Sequence, residues 1–141
     1  MVASTAKWAV TMTKVRIRQA AAHAPYPRWH FLTFSGPNGG ESRGVVDLIA
    51  IRKKHARPRA GLKRGDEFQI LLIQVKGGSA ARPTIQDGKR LRKVGRMHGA
   101  CGILLASWKK GTAARFYKLR LNARSGQPDW TEIEDLQALF C

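Results

Sequence analysis

This sequence has few cysteines, few acidic residues and no long apolar run. Its two cysteines, Cys101 and Cys141, are 40 positions apart with no second pair, which argues against a disulfide framework and against a thiolate zinc site. A reducing, cytoplasmic location is therefore the expectation. No apolar stretch reaches the roughly 18 residues of a membrane-spanning helix, and the N-terminus lacks a signal-peptide core. The sequence therefore predicts no membrane association.

Acidic residues are the scarcest charged class. Nine Asp and Glu stand against 26 Lys and Arg, which gives a formal net charge of +17. Four of the nine acids lie in the last 13 residues, which contain no Lys or Arg, so the excess of positive charge is concentrated in residues 1–128. Solubility alone favours a net charge of only about 2–8. We therefore expect a polyanion partner such as nucleic acid, and a ribosomal or chromatin-like protein is the simplest alternative.

Two common kinds of active site are also missing from the sequence. The four histidines show no metal-ligand spacing with one another or with either cysteine. The Gly-rich segment 36–40 is not followed by Lys-Ser or Lys-Thr, so it is not a Walker-type phosphate loop. We therefore expect no requirement for ATP.

The 141 residues, 15.7 kDa in all, have the size of one domain. An Ala-rich, basic segment over residues 1–24 predicts an N-terminal helix that ends before Pro25, with a basic arm as the alternative. Residues 28–119 hold the predicted core. The acidic residues 129–141 predict a short C-terminal helix, with Trp130 as its anchor.

Apolar, β-branched runs bounded by glycine or charge predict the strands of this core. They cover residues 28–34, 44–51, 67–76, 101–108 and 114–119. A helix is predicted after the third run, because Thr84 and Asp87 have the spacing of a capping box. The order helix, three strands, helix, two strands predicts an α/β fold with a mixed central sheet flanked by helices.

The predicted helix after Thr84 has one cationic face. Its basic residues recur at i, i+3, i+4 and i+7, and they are Lys89, Arg92, Lys93 and Arg96. No acidic residue stands at helical spacing to pair with them, so a phosphate-facing surface is a better interpretation than a merely solvated one. The opposite arc is predicted to pack against the core and contains Leu91, Val94, Met97 and His98. The segment 53–65 is also strongly basic and predicts an exposed hairpin connection or a mobile loop.

Polar residues interrupt two of the apolar runs at positions that can form a metal site. Asp47 lies in the second run, and Gln74-Val75-Lys76 ends the third. Because side chains alternate along a strand, Gln74 and Lys76 project from one face while Val75 projects from the other. An oxygen ligand and a cation are thereby held side by side, as in a metal-dependent nuclease. Either residue alone would be better explained as a strand-end turn residue or a surface lysine.

This arrangement resembles the PD-(D/E)XK nuclease superfamily, and within it the archaeal Holliday-junction resolvases. The likeness covers residues 28–119: a Gly-rich approach to Asp47, the Gln-x-Lys strand, the basic helix and then an apolar strand. The majority pattern has an acid where this sequence has Gln74, and the Gln-x-Lys form is similar to that of Mrr-type restriction endonucleases. The resemblance implies a restriction-endonuclease-like core of order α-β-β-β-α-β that cleaves DNA with Mg²⁺ or Mn²⁺.

The resemblance also implies a role for each residue of the motif. Asp47 is the main metal ligand, Gln74 and the carbonyl of Val75 are neutral oxygen ligands, and Lys76 orients or helps to deprotonate the attacking water. Because a carboxamide adds no negative charge, we expect Glu41 to supply the missing carboxylate, as a ligand or through a bound water.

The predicted partner is DNA, duplex or branched, although RNA is not excluded by the sequence. The residues expected to bind it are basic ones near the motif and on the basic helix, namely Arg43, Arg82, Lys89, Arg92, Lys93 and Arg96. Family analogy implies a homodimer, and a protein partner is a further source of specificity. The alternative function is a binding module that retains the nuclease fold without catalysis, because Gln74 leaves too little charge to hold the metal.

Overall fold

The computed structural model describes residues 2–23, 27–34, 44–78, 82–122 and 124–140, with the backbone alone for residues 2–6. Three helices and six strands are formed in this part of the chain. In chain order they are α1 (Val2–Ala20), β1 (His30–Thr33), β2 (Leu48–Lys53), β3 (Phe68–Gly77), α2 (Ile85–Met97), β4 (Gly102–Trp108), β5 (Arg115–Leu121), β6 (Pro128–Glu132) and α3 (Leu136–Phe140). No helix among these residues is both long and apolar enough to cross a membrane.

The six strands form one sheet in sequence order, from β1 at one edge to β6 at the other. β3 and β4 are parallel, and every other neighbouring pair is antiparallel. A parallel pair needs a long crossover connection, which α2 provides between β3 and β4. The prediction of a mixed sheet flanked by helices is therefore confirmed.

The helices cover both faces of the sheet. On one face, which we call the core face, α1 and α3 pack against Ile73 of β3, Leu104 of β4 and Phe116 of β5. On the other, which we call the α2 face, Leu91 of α2 packs against Leu119 of β5. Successive side chains of a strand point to opposite faces, so each central strand contributes to both layers.

Helix α2 begins with the predicted capping box. The Asp87 backbone N–H donates to the Thr84 hydroxyl at 3.1 Å, and the Asp87 carboxylate accepts from the Thr84 N–H, also at 3.1 Å. Glycine lets the helix approach the sheet closely: a Cβ on Gly88 would lie 2.8 Å from the Pro128 Cβ, and one on Gly95 would lie 2.7 Å from the Ile103 Cδ1.

The C-terminal region, residues 129–141, differs in part from the short helix predicted there. Pro128–Glu132 instead forms the edge strand β6, and α3 is confined to Leu136–Phe140. Trp130 therefore does not anchor a helix; it pairs with Leu119 across the strands and packs in the cluster of Leu91. Hydrogen bonds to β5 and burial against α2 outweigh local helical preference here.

Three smaller predictions are also settled. The N-terminal segment forms helix α1 rather than the alternative basic arm, and the second strand begins at Leu48, one residue after Asp47. On α2, Leu91 is buried as expected. Met97 is 70% exposed and His98 is also exposed, so the prediction that these two residues pack against the core is wrong. The other buried residues of α2 are Gly88 and Gly95, because the helix lies so close to the sheet at these positions. The single-domain division itself stays a prediction.

Candidate active site

Asp47 lies against the end of β3, although Val75 is 28 positions farther along the chain. Its carboxylate Oδ2 accepts a hydrogen bond from the Val75 backbone N–H at 2.8 Å. Its own N–H donates to the Ile73 carbonyl at 3.0 Å. The antiparallel pairing of β2 and β3 ends at Leu48 and Ile73, so the beginning of β2 meets the second half of β3. The structure thus brings Asp47 to the Gln74-Val75-Lys76 segment.

Gln74 is the polar residue buried most deeply in this segment. Its side chain is 7% exposed, and its Oε1 has no hydrogen-bond partner among the described residues. Leaving a buried acceptor unpaired costs about 1–3 kcal/mol, so proteins keep few such groups without a reason. Asp47 contacts the backbone of Ile73 and Val75, the two neighbours of Gln74 along the strand. A carboxylate offers no donor to an oxygen acceptor, so a cation fits this combination of oxygen groups.

Lys76 lies on the same face of the sheet as Gln74. Ile73 and Val75 point into the core face, so the residues that alternate with them project on the α2 face. Two residues along a strand place the Cα atoms of Gln74 and Lys76 about 7 Å apart. Lys76 is half-buried, which limits the directions that its ammonium group can take. This end of β3, from Gln74 to Lys76 with Asp47 beside it, is called the site end below.

The donor set is made of oxygen and holds one described carboxylate, that of Asp47. No group of three or more His, Cys, Asp or Glu that could hold a metal occurs in the described ranges. Glu41, the predicted second carboxylate, and Arg43 lie outside the described residues. Mg²⁺ and Mn²⁺ prefer such oxygen ligands, and Mg²⁺ sites often combine one or two carboxylates with substrate phosphate. The residues present therefore fit such an ion, provided that substrate or a further acid completes its shell.

Arg82 is held on the α2 face by an aromatic ring. Its guanidinium carbon lies 4.6 Å from the centroid of Tyr117, a residue 8% exposed. Tyr117 is the cross-strand partner of Leu105, which in turn pairs with Gln74. Two inter-strand spacings amount to about 10 Å, so the exposed Arg82 is fixed near the site end. The sequence predicted Arg82 but not Tyr117, since nothing in local spacing pairs a residue of β5 with a loop before α2.

The basic residues of α2 form a cationic stripe along the helix. Lys89, Lys93 and Arg96 are exposed, and Arg92 is half-buried. Gly88 lies against Pro128 of β6 and Gly95 against Ile103 of β4, so α2 crosses the sheet from β6 towards β4, with Lys89 at its β6 end and Arg96 at its β4 end. The stripe is about 10 Å long. The α2 ion pair that the structure describes joins Arg90 to Asp87 at 3.6 Å, outside this stripe.

Comparison with known proteins supports the fold alone. No protein-family model and no curated protein matches the chain. A solved structure that is similar is Hjc from Archaeoglobus fulgidus, described as a Holliday junction resolvase from an archaeal hyperthermophile. The two share 16% identity over 94% of this chain and 92% of that one, with a TM-score of 0.50. The likeness agrees with the α/β architecture predicted from the sequence.

Proposed function

We propose that this protein is a metal-dependent endonuclease that hydrolyses phosphodiester bonds in branched or structured DNA. The observation that carries the proposal is the buried Gln74 oxygen, which has no partner among the described residues, on a segment held by the Asp47 carboxylate through Val75, with Lys76 on the same face. The similarity in fold to a Holliday junction resolvase supports the choice of reaction and of substrate. The net charge of +17 supports a nucleic-acid partner.

The roles of the side chains follow from their positions. Asp47 would hold Mg²⁺ or Mn²⁺ with one carboxylate oxygen oriented by the Val75 N–H, and Gln74 and the Val75 carbonyl would add neutral oxygens. When bound, the ion supplies positive charge to the phosphate and a more acidic water. Lys76 orients the attacking water and offsets the negative charge that develops on the phosphate. Arg82 and the α2 stripe bind neighbouring phosphates, as Arg43 does in this proposal.

The low charge of the ligand set makes metal binding depend on DNA. Asp47 provides one negative charge and Gln74 none, so the substrate phosphate becomes a main contributor of charge to the ion. We expect the affinity for Mn²⁺ to be weak in the free protein and to rise when DNA is bound. If Glu41 is a ligand, Glu41→Gln weakens binding further. A homodimer in a cytoplasmic setting and a protein partner remain expectations.

The proposal is tested with labelled duplex, single-stranded and four-way-junction DNA in Mg²⁺ or Mn²⁺. Wild type should cut the junction, and Asp47→Asn should not. Asp129→Asn, a neutralised exposed acid on β6, is the matched control and should cut as wild type does. Equal cutting by wild type and Asp47→Asn would exclude this site.

Gln74→Glu gives a more specific test of the same site. The substitution preserves shape and adds the missing carboxylate, so we expect cleavage at a roughly tenfold lower Mg²⁺ concentration. A variant that needs as much Mg²⁺ as wild type would place Gln74 outside the metal site.

The second candidate function is a DNA-binding module without catalysis. The neutral Gln74 favours it, since a carboxamide in place of an acid weakens metal binding. Tight, salt-sensitive binding of DNA with no cutting by wild type or by Gln74→Glu would establish this alternative.

A further inference from the structure

The connection between β2 and β3 is a folded hairpin at the opposite end of these strands from the site end. Backbone hydrogen bonds close it at its base, from Lys54 N–H to the Glu67 carbonyl at 2.8 Å and from Gly65 N–H to the Lys54 carbonyl at 3.2 Å. Its two acids are used within it. Glu67 contacts Arg59 at 3.5 Å, and Asp66 accepts from the Lys63 N–H at 2.7 Å.

Because both acids serve the hairpin itself, its outward surface is cationic. Lys54 also lies 3.9 Å from Glu67, which completes the pairing of that carboxylate. The exposed basic residues that form no ion pair with any carboxylate in the described ranges are Lys53, His55, Arg57, Lys63 and Arg64. A fixed cationic surface loses less conformational entropy on binding phosphate than a mobile basic loop would lose.

Beside the hairpin is a cavity of about 220 Å³ lined by both cationic and apolar side chains. Arg28, His30 and Lys53 line it together with Ile51 and Phe68. Phe68 is 56% exposed, and Lys53 is its cross-strand partner. The wall of the cavity therefore combines an accessible aromatic ring with positive charges.

These features match a single nucleotide better than an intact duplex. Bases inside a duplex are stacked on one another, so an internal base pair has no free face for Phe68, whereas an unpaired base does. The cavity is smaller than the pockets of about 300–1,000 Å³ that hold drug-sized ligands, which suits one flat ring system. The flanking cations then meet the phosphates on either side of that base.

We propose that the hairpin end of the sheet is a second nucleic-acid site, which binds an unpaired strand with one base stacked on Phe68. Lys53 and Arg28 contact the adjacent phosphates, and Lys63 and Arg64 contact the strand farther out. The inference adds an unpaired strand to the description of the substrate, and in that respect it rests on the function proposed above.

The position of this second site defines the substrate further. Gln74 lies six positions after Phe68 on β3, a distance of about 20 Å along the strand. About six base pairs of duplex span the same length. A DNA that offers a scissile phosphate at the site end and an unpaired strand about 20 Å away engages both sites at once.

Binding is measured with the full chain carrying Asp47→Asn, in the absence of metal, so that no cleavage intervenes. The probes are a blunt duplex and the same duplex with a single-stranded tail that contains 2-aminopurine. We expect the tail to raise affinity roughly tenfold and the fluorescence of the base analogue to change on stacking. In the same background, Phe68→Leu should lose both effects, and Phe68→Trp should retain them.

Two matched variants separate stacking from general effects. Trp8→Ala removes another exposed aromatic side chain, 57% accessible, and should leave the effect of the tail unchanged. Lys63→Ala with Arg64→Ala should weaken binding of the tailed DNA and reduce its salt dependence. Far-ultraviolet circular dichroism checks that each variant is folded.

The outcomes distinguish this inference from the nuclease proposal. If Phe68→Leu binds the tailed DNA as its parent does, with the same fluorescence change, the second site is wrong whether or not wild type cuts DNA. If the tail effect depends on Phe68 while wild type cuts no DNA, the nuclease proposal is wrong and the second site stands as part of a binding module.

Discussion

The two faces of β3 differ in what their side chains do. On the core face, Ile73 is fully buried among the apolar residues that pack under α1. On the α2 face, the next residue along the chain is Gln74, buried to a similar degree but with an oxygen that lacks a partner among the described residues. Ile73 thus stabilises the fold, whereas the unpaired oxygen of Gln74 lowers its stability. An apolar residue of similar size at Gln74 would remove the unpaired acceptor, so we infer that function retains the polar group.

The largest effect expected on the α2 face is the loss of cleavage in Lys76→Ala. Removal of a cation that stabilises transition-state charge lowers the rate by about 10²–10³. DNA affinity should change by less than about threefold, because Lys76 is half-buried and other cations bind the strand. Single-turnover cleavage and fluorescence anisotropy measure the two effects. Lys110→Ala, an exposed lysine in the turn before β5, is the control; comparable losses of binding and cleavage in Lys76→Ala would contradict its catalytic role.

The largest effect expected on the core face is the loss of stability in Ile73→Ala. The side chain is 0% exposed, and truncation of such a residue costs about 2–5 kcal/mol in the free energy of unfolding. Urea denaturation measures the change. Cleavage by the remaining folded protein should stay near that of wild type. If Ile73→Ala were fully stable but inactive, the division of labour between the two faces would be wrong.

A smaller effect is expected on the α2 stripe from Lys93→Ala with Arg96→Ala. Removal of one phosphate-binding cation reduces the slope of log K against log salt by about 0.9, so the pair should reduce it by up to about 1.8 and weaken binding roughly tenfold at moderate salt. Stability should not change, since both side chains are exposed. Lys109→Ala with Arg120→Ala removes two exposed cations outside α2. If that control pair weakens binding equally, charge alone, rather than the position of the stripe, accounts for the affinity.

The smallest effects concern the close approach of α2 to the sheet. A methyl group on Gly88 would meet the ring of Pro128, whereas one on Gly95 would meet the end of the flexible Ile103 side chain. We expect Gly88→Ala to lower the free energy of unfolding by about 1–2 kcal/mol. Gly95→Ala should be nearly neutral, because alanine is a better helix former by about 1 kcal/mol. Thermal unfolding measures the stability of both variants. If Gly95→Ala were the less stable of the two, the helix would have moved away from Pro128 to accommodate the methyl group at Gly88.

The sequence predicted most of the architecture because the relevant signals were local. The apolar runs marked β2 to β5 to within a few residues, and the Thr84 capping box located the start of α2. It missed β6 because that strand begins with Pro128 and is an edge strand, stabilised by pairing with β5 and by burial of Trp130 rather than by its own propensity.

The candidate site was predictable in part. Asp47, Gln74 and Lys76 stood out as polar residues in apolar runs, and the structure brings them together. Their catalytic and metal-binding roles stay predictions, as does Glu41, which lies outside the described residues. Tyr117 beneath Arg82 and the Phe68 cavity could not be predicted, because each depends on cross-strand neighbours.

By itself, the sequence determined the net charge, the succession of helices and strands from α1 to β5 and the start of α2, since these depend on composition, alternation and contacts within one turn. Tertiary structure alone decided that Asp47 lies against Val75, that Gln74 has a buried oxygen without a described partner and that the basic hairpin lies about 20 Å from them. The physical reason is that a strand finds its hydrogen-bond partners far along the chain, so the neighbours of a side chain in a sheet are fixed only when the register forms.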